Sequence, residues 1–350
     1  MPVEAAWALT FHDLHPDTQE VLRACAVLDQ PSISLITAAG VANVPQPRIA
    51  AVLAPAESAG WGGVIEDRFD LAYRAQTFLR DLARTMSDQD KRMAIERIAA
   101  VVTSGDTSTS AVRADVLGVV KAANRYGHPH IAFRVARTVW QTPSTGVDLD
   151  WYRQLADHGE EAAIAIRDHE GLLDLLDLSA KVYSANAYWQ GAEAAWLGAL
   201  SIVDDLGDSA RFVRFLRLLA TNYRNWGRPH KTVDMLLEIV SVQERQGDVA
   251  ALAETVAEVG ATFLDAGGTE DAEEHLERAK RLLHEDVPDG PDTRRRRAVV
   301  LGDLGRAHAG RGRINAARTS YREALVLALD IDDDALAARI RELQAALPVS

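Results

Sequence analysis

Apolar residues return every three or four positions through most of the chain, with charged residues between them. That period puts them on one face of an α-helix and predicts a mainly α fold. From residue 111 to 347 the helical pattern is broken only briefly. The breaks are Tyr126-Gly-His-Pro129, Thr142-Pro-Ser-Thr-Gly146, Gly227-Arg-Pro229, Gly267-Gly268, Val287-Pro-Asp-Gly-Pro291 and Gly310-Arg-Gly312. Gly and Pro at such points close one helix and open the next. Two short runs, 60–65 and 68–72, flank Glu66-Asp67 and predict a β-hairpin.

The hairpin belongs to a separate first segment, residues 1–84. His15-Pro16-Asp17 opens a helix that carries its apolar face from Thr18 to Leu28, with Pro in its first turn. Helices follow at 34–41 and 47–59, the second interrupted or bent at Pro55. The hairpin and a closing helix, 73–83, complete the order helix, helix, helix, hairpin, helix, which is the winged-helix arrangement. Residues 85–110 read as a linker: a helix, 88–102, and then the polar stretch Thr103-Ser-Gly-Asp-Thr-Ser-Thr-Ser110.

Internal repetition sets the architecture of 111–347. Leu301, Leu304 and Gly305 share one helical face, a Gly-Arg-Gly turn follows, and Ala317, Tyr321 and Ala324 share a face of the next helix. Close crossing at small residues predicts that Gly305 meets Ala317 and Ala324. Upstream copies centre on Gly260 with Ala272, Leu276 and Ala279, on Ala220 with Leu236 and Ile239, and on Ala180 with Ala192, Trp196 and Ala199. A weaker copy has Val120 and Ala123 before Ala132, Ala136 and Val139. The centres Val120, Ala180, Ala220, Gly260 and Gly305 are spaced by 60, 40, 40 and 45 residues. The gap of 60 leaves room for one extra helix, 151–168. Stacked helix pairs bury apolar faces that one pair cannot, and so form a superhelix with a concave face.

The small-large-small pattern resembles the tetratricopeptide repeat (TPR), although a spacing near 40 exceeds the usual period of about 34. The resemblance covers about 172–330 and implies a right-handed α-solenoid. The stretch from Ala5 to Leu28, with Trp61 to Leu82, is similar to the winged helix that precedes the TPR array in STAND/NB-ARC-type regulators of actinobacteria. No Gly-x-x-x-x-Gly-Lys-Ser/Thr is present, so the resemblance extends to the winged-helix plus TPR half and carries over no ATP switch.

Composition narrows the chemistry. The 350 residues are 47% hydrophobic, enough for a sizeable core, and their formal charge is −13. Such an acidic balance opposes general nucleic-acid binding, which needs cations against phosphates. Residues 1–85 hold six basic and ten acidic residues, and the third helix offers only Gln46 and Arg48 before an apolar run. DNA recognition by the winged helix is the alternative reading, disfavoured on those grounds. The lone Cys25 excludes an intrachain disulfide and suggests a cytoplasmic setting, and its apolar surroundings make it a core residue. No signal peptide or membrane span is evident, a span needing roughly 20 apolar residues.

No catalytic motif stands out, so the chain reads as a non-enzyme without cofactor. His128-Pro-His130 lacks further ligands and reads as a turn rather than a metal site. Asp330-Ile-Asp-Asp-Asp334 lacks the central Gly of a calcium loop. Arg294-Arg-Arg-Arg297 reads as a solvated face that pairs with nearby acids.

The TPR resemblance implies that the first helix of each pair lines the groove. Residues facing it are then Lys121, Asn124 and Arg125, Lys181, Arg214, Arg217, Thr221, Arg224 and Asn225, and Arg306. Arg214, Arg217, Thr221 and Arg224 share one face by their three- and four-residue steps. Arginine forks suit carboxylates, which points to a protein or peptide partner with an acidic or carboxylate-bearing segment. Intramolecular pairing with Asp174, Asp177, Asp204 or Asp205 is the competing role. A small-molecule sensor is a third function class, and a homo-oligomer stays open.

Overall fold

The computed structural model describes residues 3–104, 110–141 and 148–348. Residues 105–109 of the polar boundary stretch and the break at 142–146 lie outside them. Among the described residues there are 18 α-helices and three short strands, in two compact units, Met1–Asn186 and Ala187–Ser350.

The first unit begins with α1 (Val3–Asp13), an element absent from the sequence reading, whose Trp7 and Phe11 pack on Trp61. Then come α2 (Pro16–Leu28), β1 (Ser32–Ser34), α3 (Leu35–Val41), a 3-10 turn (Gln46–Arg48), α4 (Ile49–Ser58), β2 (Gly62–Ile65), β3 (Arg68–Leu71) and α5 (Tyr73–Thr85). Pro55 lies inside α4, which continues past it for one turn. The hairpin forms at Glu66-Asp67 with Val64 opposite Phe69, and β1 adds to its other edge, giving the antiparallel order β1-β3-β2. β1 is too short to show an alternating pattern, and pairing with β3 creates it.

α6 (Asp88–Ser104) buries Ile95, Ile98 and Val102 and packs on α2, α3 and the next helix, α7 (Ser110–Arg125). Then follow α8 (Pro129–Trp140), α9 (Leu149–Ile166) and α10 (His169–Ala185). α9 stands where the sequence left room for one extra helix, 151–168. It packs against α8 and α10 and lies beside α7, where Lys121 Nζ donates to Gln154 Oε1 at 3.1 Å and Asn124 Nδ2 to His158 O at 2.9 Å. α7 and α8 form one pair with α9 packed beside both, and Lys181 stands on α10. The close approach of α9 is at Gly159, where an added Cβ would meet Ala136 and Leu175 at 2.8 Å.

One side chain of α9 responds to pH. Glu160 is withdrawn from water with Asp157 near it, and burial first, then that charge, push its carboxyl up to about 7. The unfolded glutamate ionises near its ordinary value, so this group lowers stability progressively as pH rises from about 4.5 to about 7. Glu160→Gln should stabilise the protein by roughly 1–3 kcal/mol above pH 7, the gain fading toward pH 4.5. Urea titrations across that window check the slope.

The second unit contains α11 (Trp189–Asp205), α12 (Ser209–Asn225), α13 (Pro229–Gln246), α14 (Val249–Asp265), α15 (Thr269–Glu285), α16 (Pro291–Gly310), α17 (Ile314–Asp330) and α18 (Asp334–Ala345). It consists of TPR-like helix pairs, α12/α13, α14/α15 and α16/α17, with α18 closing on Ala337 and Ile340. The turns into α12 and α14 are alike. Gly207 and Gly247 take positive φ, 67° and 71°, which favours glycine. The following Asp208 and Asp248 accept the backbone N–H of Arg211 and Ala251 and cap the next helix. Asp168 caps α10 in the same way through Gly171. Three capping aspartates spaced by 40 residues are a repeat signal that the apolar pattern alone did not reveal.

The crossing at Gly305 corrects one expectation. A Cβ there would meet the ring of Tyr321, at 2.4 Å from Cε1, and one at Gly260 would meet Leu276 Cγ at 2.6 Å. Glycine on the first helix accommodates a large side chain of the second, rather than another small residue. Gly305→Ala should therefore destabilise by about 1–2 kcal/mol, crowding against a buried ring outweighing the helix-propensity gain. Gly302→Ala, where the nearest atom is Ile340 Cγ1 at 3.9 Å, should be neutral or stabilising by up to about 1 kcal/mol. Paired thermal melts separate the two.

Candidate functional site

α12 carries Arg211, Arg214, Arg217 and Arg224 and no acid. Arg211 pairs with the capping Asp208 at 2.7 Å, and Arg217 and Arg224 draw their counter-charge from α14. Arg217 Nη1 and Arg224 Nη2 reach Glu258 at 3.2 and 2.6 Å, and Arg217 Nη2 donates to Thr255 Oγ1 at 2.9 Å. α14 is tied to α16 by Arg296 with Glu254, and by Arg306 with Asp265 at 3.1 Å. Arg306 also holds Asp303 at 3.0 Å, while burial pushes the Asp303 carboxyl up against that pairing. Side chains can reach two helices onward only if α12, α14 and α16, the first helices of their pairs, lie side by side.

Between α14 and α16 this face opens into a cleft of about 230 Å³. Ala257, Ala261 and Val299 form its floor, and Glu254, Glu258 and Arg296 stand at its rim. Alanine brings a partner's atoms close to helix backbone, and the charges provide orientation. Thr221 and Asn225 are exposed on α12, Thr221 Oγ1 donating to its own helix at Arg217 O. Arg214 lies 5.4 Å from the Phe215 ring.

The opposite face of this unit is held by acids on the second helices. Glu193 accepts from Tyr223 Oη and Lys231 Nζ, each at 2.6 Å, and burial with that neighbouring carboxylate pushes the Tyr223 phenol up. Glu273 binds Arg311 at 2.9 Å and also Arg313. The run Arg294–Arg297 is fully paired: Arg294 and Arg297 with Asp289, Arg295 with Asp333, Arg296 with Glu254. Asp330 pairs with Arg294, and Asp333 caps α18 through Leu336 N.

In the first unit the sequence-derived residues have local partners. Lys121 and Asn124 bind α9, as described, and Lys181 pairs with Asp177 on its own helix at 3.0 Å. Arg125 turns toward Asp29, at 3.3 Å. Of the four acids the sequence offered as partners, Asp177 takes Lys181, and Asp174 takes Arg137 rather than a groove residue. The helix that the sequence offered for DNA contact shows Gln46 and Arg48, followed by exposed Ala50, Ala51, Ala54 and Pro55. Cys25 is buried and its thiol pushed up, by burial first and then by Asp115. Among the described residues, no group of three His, Cys, Asp or Glu side chains could hold a metal, and no helix is long and apolar enough to cross a membrane.

No protein-family model and no curated protein matches the chain. Solved helix-repeat structures resemble it in fold. A signal-transduction ATPase (STAND protein) with a tetratricopeptide-repeat sensor from Pyrococcus horikoshii aligns with 99% of this chain at TM-score 0.40 and 12% identity. This chain spans about half of that protein, 55% of its length. The apo form of RapI aligns over 63% of this chain and 78% of its own, at TM-score 0.45 and 14% identity. Aspartyl phosphate phosphatase F from Bacillus subtilis aligns over 78% and 74%, at TM-score 0.44 and 13% identity. Likenesses this distant assign neither family nor activity.

The sequence placed the arginines of α12 together on one face. It missed Glu258, Glu254 and the alanine floor, because these come from a different helix and only stacking brings them beside α12. The signal available was the alternation of a basic first helix, α12, with an acid-bearing one, α14.

Proposed function

We propose that this chain is a non-enzymatic, protein- or peptide-binding scaffold or regulator, and that its partner lies along the first-helix face of α12, α14 and α16. The observation that carries the reading is the alanine-floored cleft between α14 and α16, beside a helix with four arginines and no acid. Glu258 holds Arg217 and Arg224 in the free protein. A partner segment rich in carboxylates would compete with it for the two guanidinium groups, as a charge-assisted and bidentate acceptor. Lys121, Asn124 and Lys181 are given a structural role by their local partners, and Arg214, Arg217, Thr221, Arg224, Asn225 and Arg306 the contact role.

We further propose the division into a winged-helix-like domain (1–84), a connector (85–110) and repeats (111–347), in the manner of STAND-type regulators and in a cytoplasmic setting. Support comes from the order helix, strand, two helices and hairpin in 16–71, with the sheet order β1-β3-β2. Loss of partner capture on charge reversal of α12 tests the binding face.

A further inference from the structure

We propose that a cleft in the first unit, between α2, α5, α6 and α7, binds a small phosphate-bearing ligand. The cleft has a volume of about 480 Å³, within the range of small-molecule sites. Arg80 and Arg84 enter it from α5, Lys91 from α6 and Arg125 from α7, and one carboxylate, Asp29, lines it. Four cations and one acid line it, with Asp81 and Asp88 beside Arg84 and Lys91, so cations still outnumber acids here in a chain whose formal charge is −13. The surface is distinct from the first-helix face of the second unit, and the proposal does not rest on the function proposed for that face.

Two observations point to an anion. The first is Lys91, whose side chain is only 13% exposed. Among the described residues its one carboxylate neighbour is Asp88, at 3.7 Å, outside hydrogen-bond reach, and Asp88 is 99% exposed. Its other contact is the face of Tyr126, 5.3 Å from the ring centre. The stem is largely covered while no side-chain hydrogen bond among the described residues occupies the ammonium, which leaves it to an acceptor in the cleft. The second is Asp29. Its two oxygens are held by Arg80 Nε at 2.9 Å and Arg125 Nη1 at 3.3 Å, two residues 45 positions apart in the chain. The guanidinium groups thus converge on an oxyanion already, and the residue that occupies them sits at the left-handed C-cap of α2, φ 53°.

A phosphate group offers more charge and more acceptor oxygens than Asp29 and would draw Arg80 and Arg125 to itself, with Lys91 closing the far side. Arg84, now paired with Asp81 at 2.7 Å and 79% exposed, is free to swing in. The volume left over would take an organic body against Tyr126. Occupancy would tie α5 and α6 to α7, the helices that join the hairpin-bearing part of the unit to its helix pairs.

Calorimetric titration of the full chain with inorganic phosphate and with AMP, in chloride buffer, tests the site. Saturable binding is expected for the phosphate group. Tighter AMP binding identifies an organic phosphate, and equal binding identifies free phosphate. Arg125→Gln and Lys91→Met should each weaken it by about tenfold or more. Asp29→Asn should tighten it by several-fold, because asparagine tolerates the left-handed conformation while the competing charge is removed. That opposite sign distinguishes a ligand site from loss of folding. Absence of saturable binding to wild type and to Asp29→Asn, or affinity unchanged in Arg125→Gln and Lys91→Met, would overturn the proposal.

Discussion

Asp115→Ala should destabilise the first unit by about 3–5 kcal/mol, a fall in melting temperature of roughly 6–20 °C. Asp115 is fully buried on α7 and accepts two hydrogen bonds, from Ser34 N at 3.0 Å and from Arg68 Nη2 at 2.9 Å. Arg68, on β3, is 18% exposed and also donates to Ser32 Oγ at 2.8 Å, to Ser32 O at 2.9 Å and to Ala111 O. One carboxylate therefore fastens the three-stranded sheet and the start of α3 to α7. Removing it leaves a partly buried guanidinium and a buried N–H without their acceptor, and the penalty is for those orphaned groups rather than for the pair itself. Arg68→Met in the Asp115→Ala background should consequently recover part of the loss. Circular-dichroism melts of the two single variants and the double variant measure the coupling. Additive losses would mean that the pair contributes no specific fastening.

Much of this architecture was legible in the apolar pattern. The helices of 111–347, the hairpin at Glu66-Asp67 and the small sites Gly260 and Gly305 follow from local chemistry: period, turn residues and the absence of a Cβ. What escaped was set by neighbours. β1 is three residues long and becomes a strand only beside β3. Arg125 looked like a groove residue because it follows Lys121 by one turn, yet it stands at the end of α7 and is drawn to Asp29 across a gap of 96 residues. The basic stripe on α12 was readable, and its neutralisation by Glu258 was not, because sequence distance hides which first helix stands next to which.

The second large effect concerns that stripe. Arg217→Glu with Arg224→Glu places two carboxylates beside Glu258, where one carboxylate now holds two guanidinium groups. A carboxylate-bearing partner would lose both forks and meet like charge instead, a change worth several kcal/mol and more than about a hundredfold in affinity. Repulsion within the free protein could loosen α12 from α14, so the variant needs a companion. Adding Glu258→Arg restores opposite charges between the two helices while leaving the α12 side acidic. It should regain the wild-type melt and still fail to bind. Glu258→Gln alone should bind more tightly than wild type, since it frees Arg217 and Arg224 for the partner.

The most direct measurement is affinity capture from the source cell with five baits: wild type, the double reversal, the charge-swapped triple variant, Glu258→Gln and Arg322→Glu on the exposed surface of α17. Bands captured by wild type are then titrated as purified proteins. The account predicts a partner retained by wild type and Arg322→Glu, lost by the double and triple variants, and held more tightly by Glu258→Gln. A partner retained equally by the folded triple variant would contradict it, because binding would then not run along α12, α14 and α16.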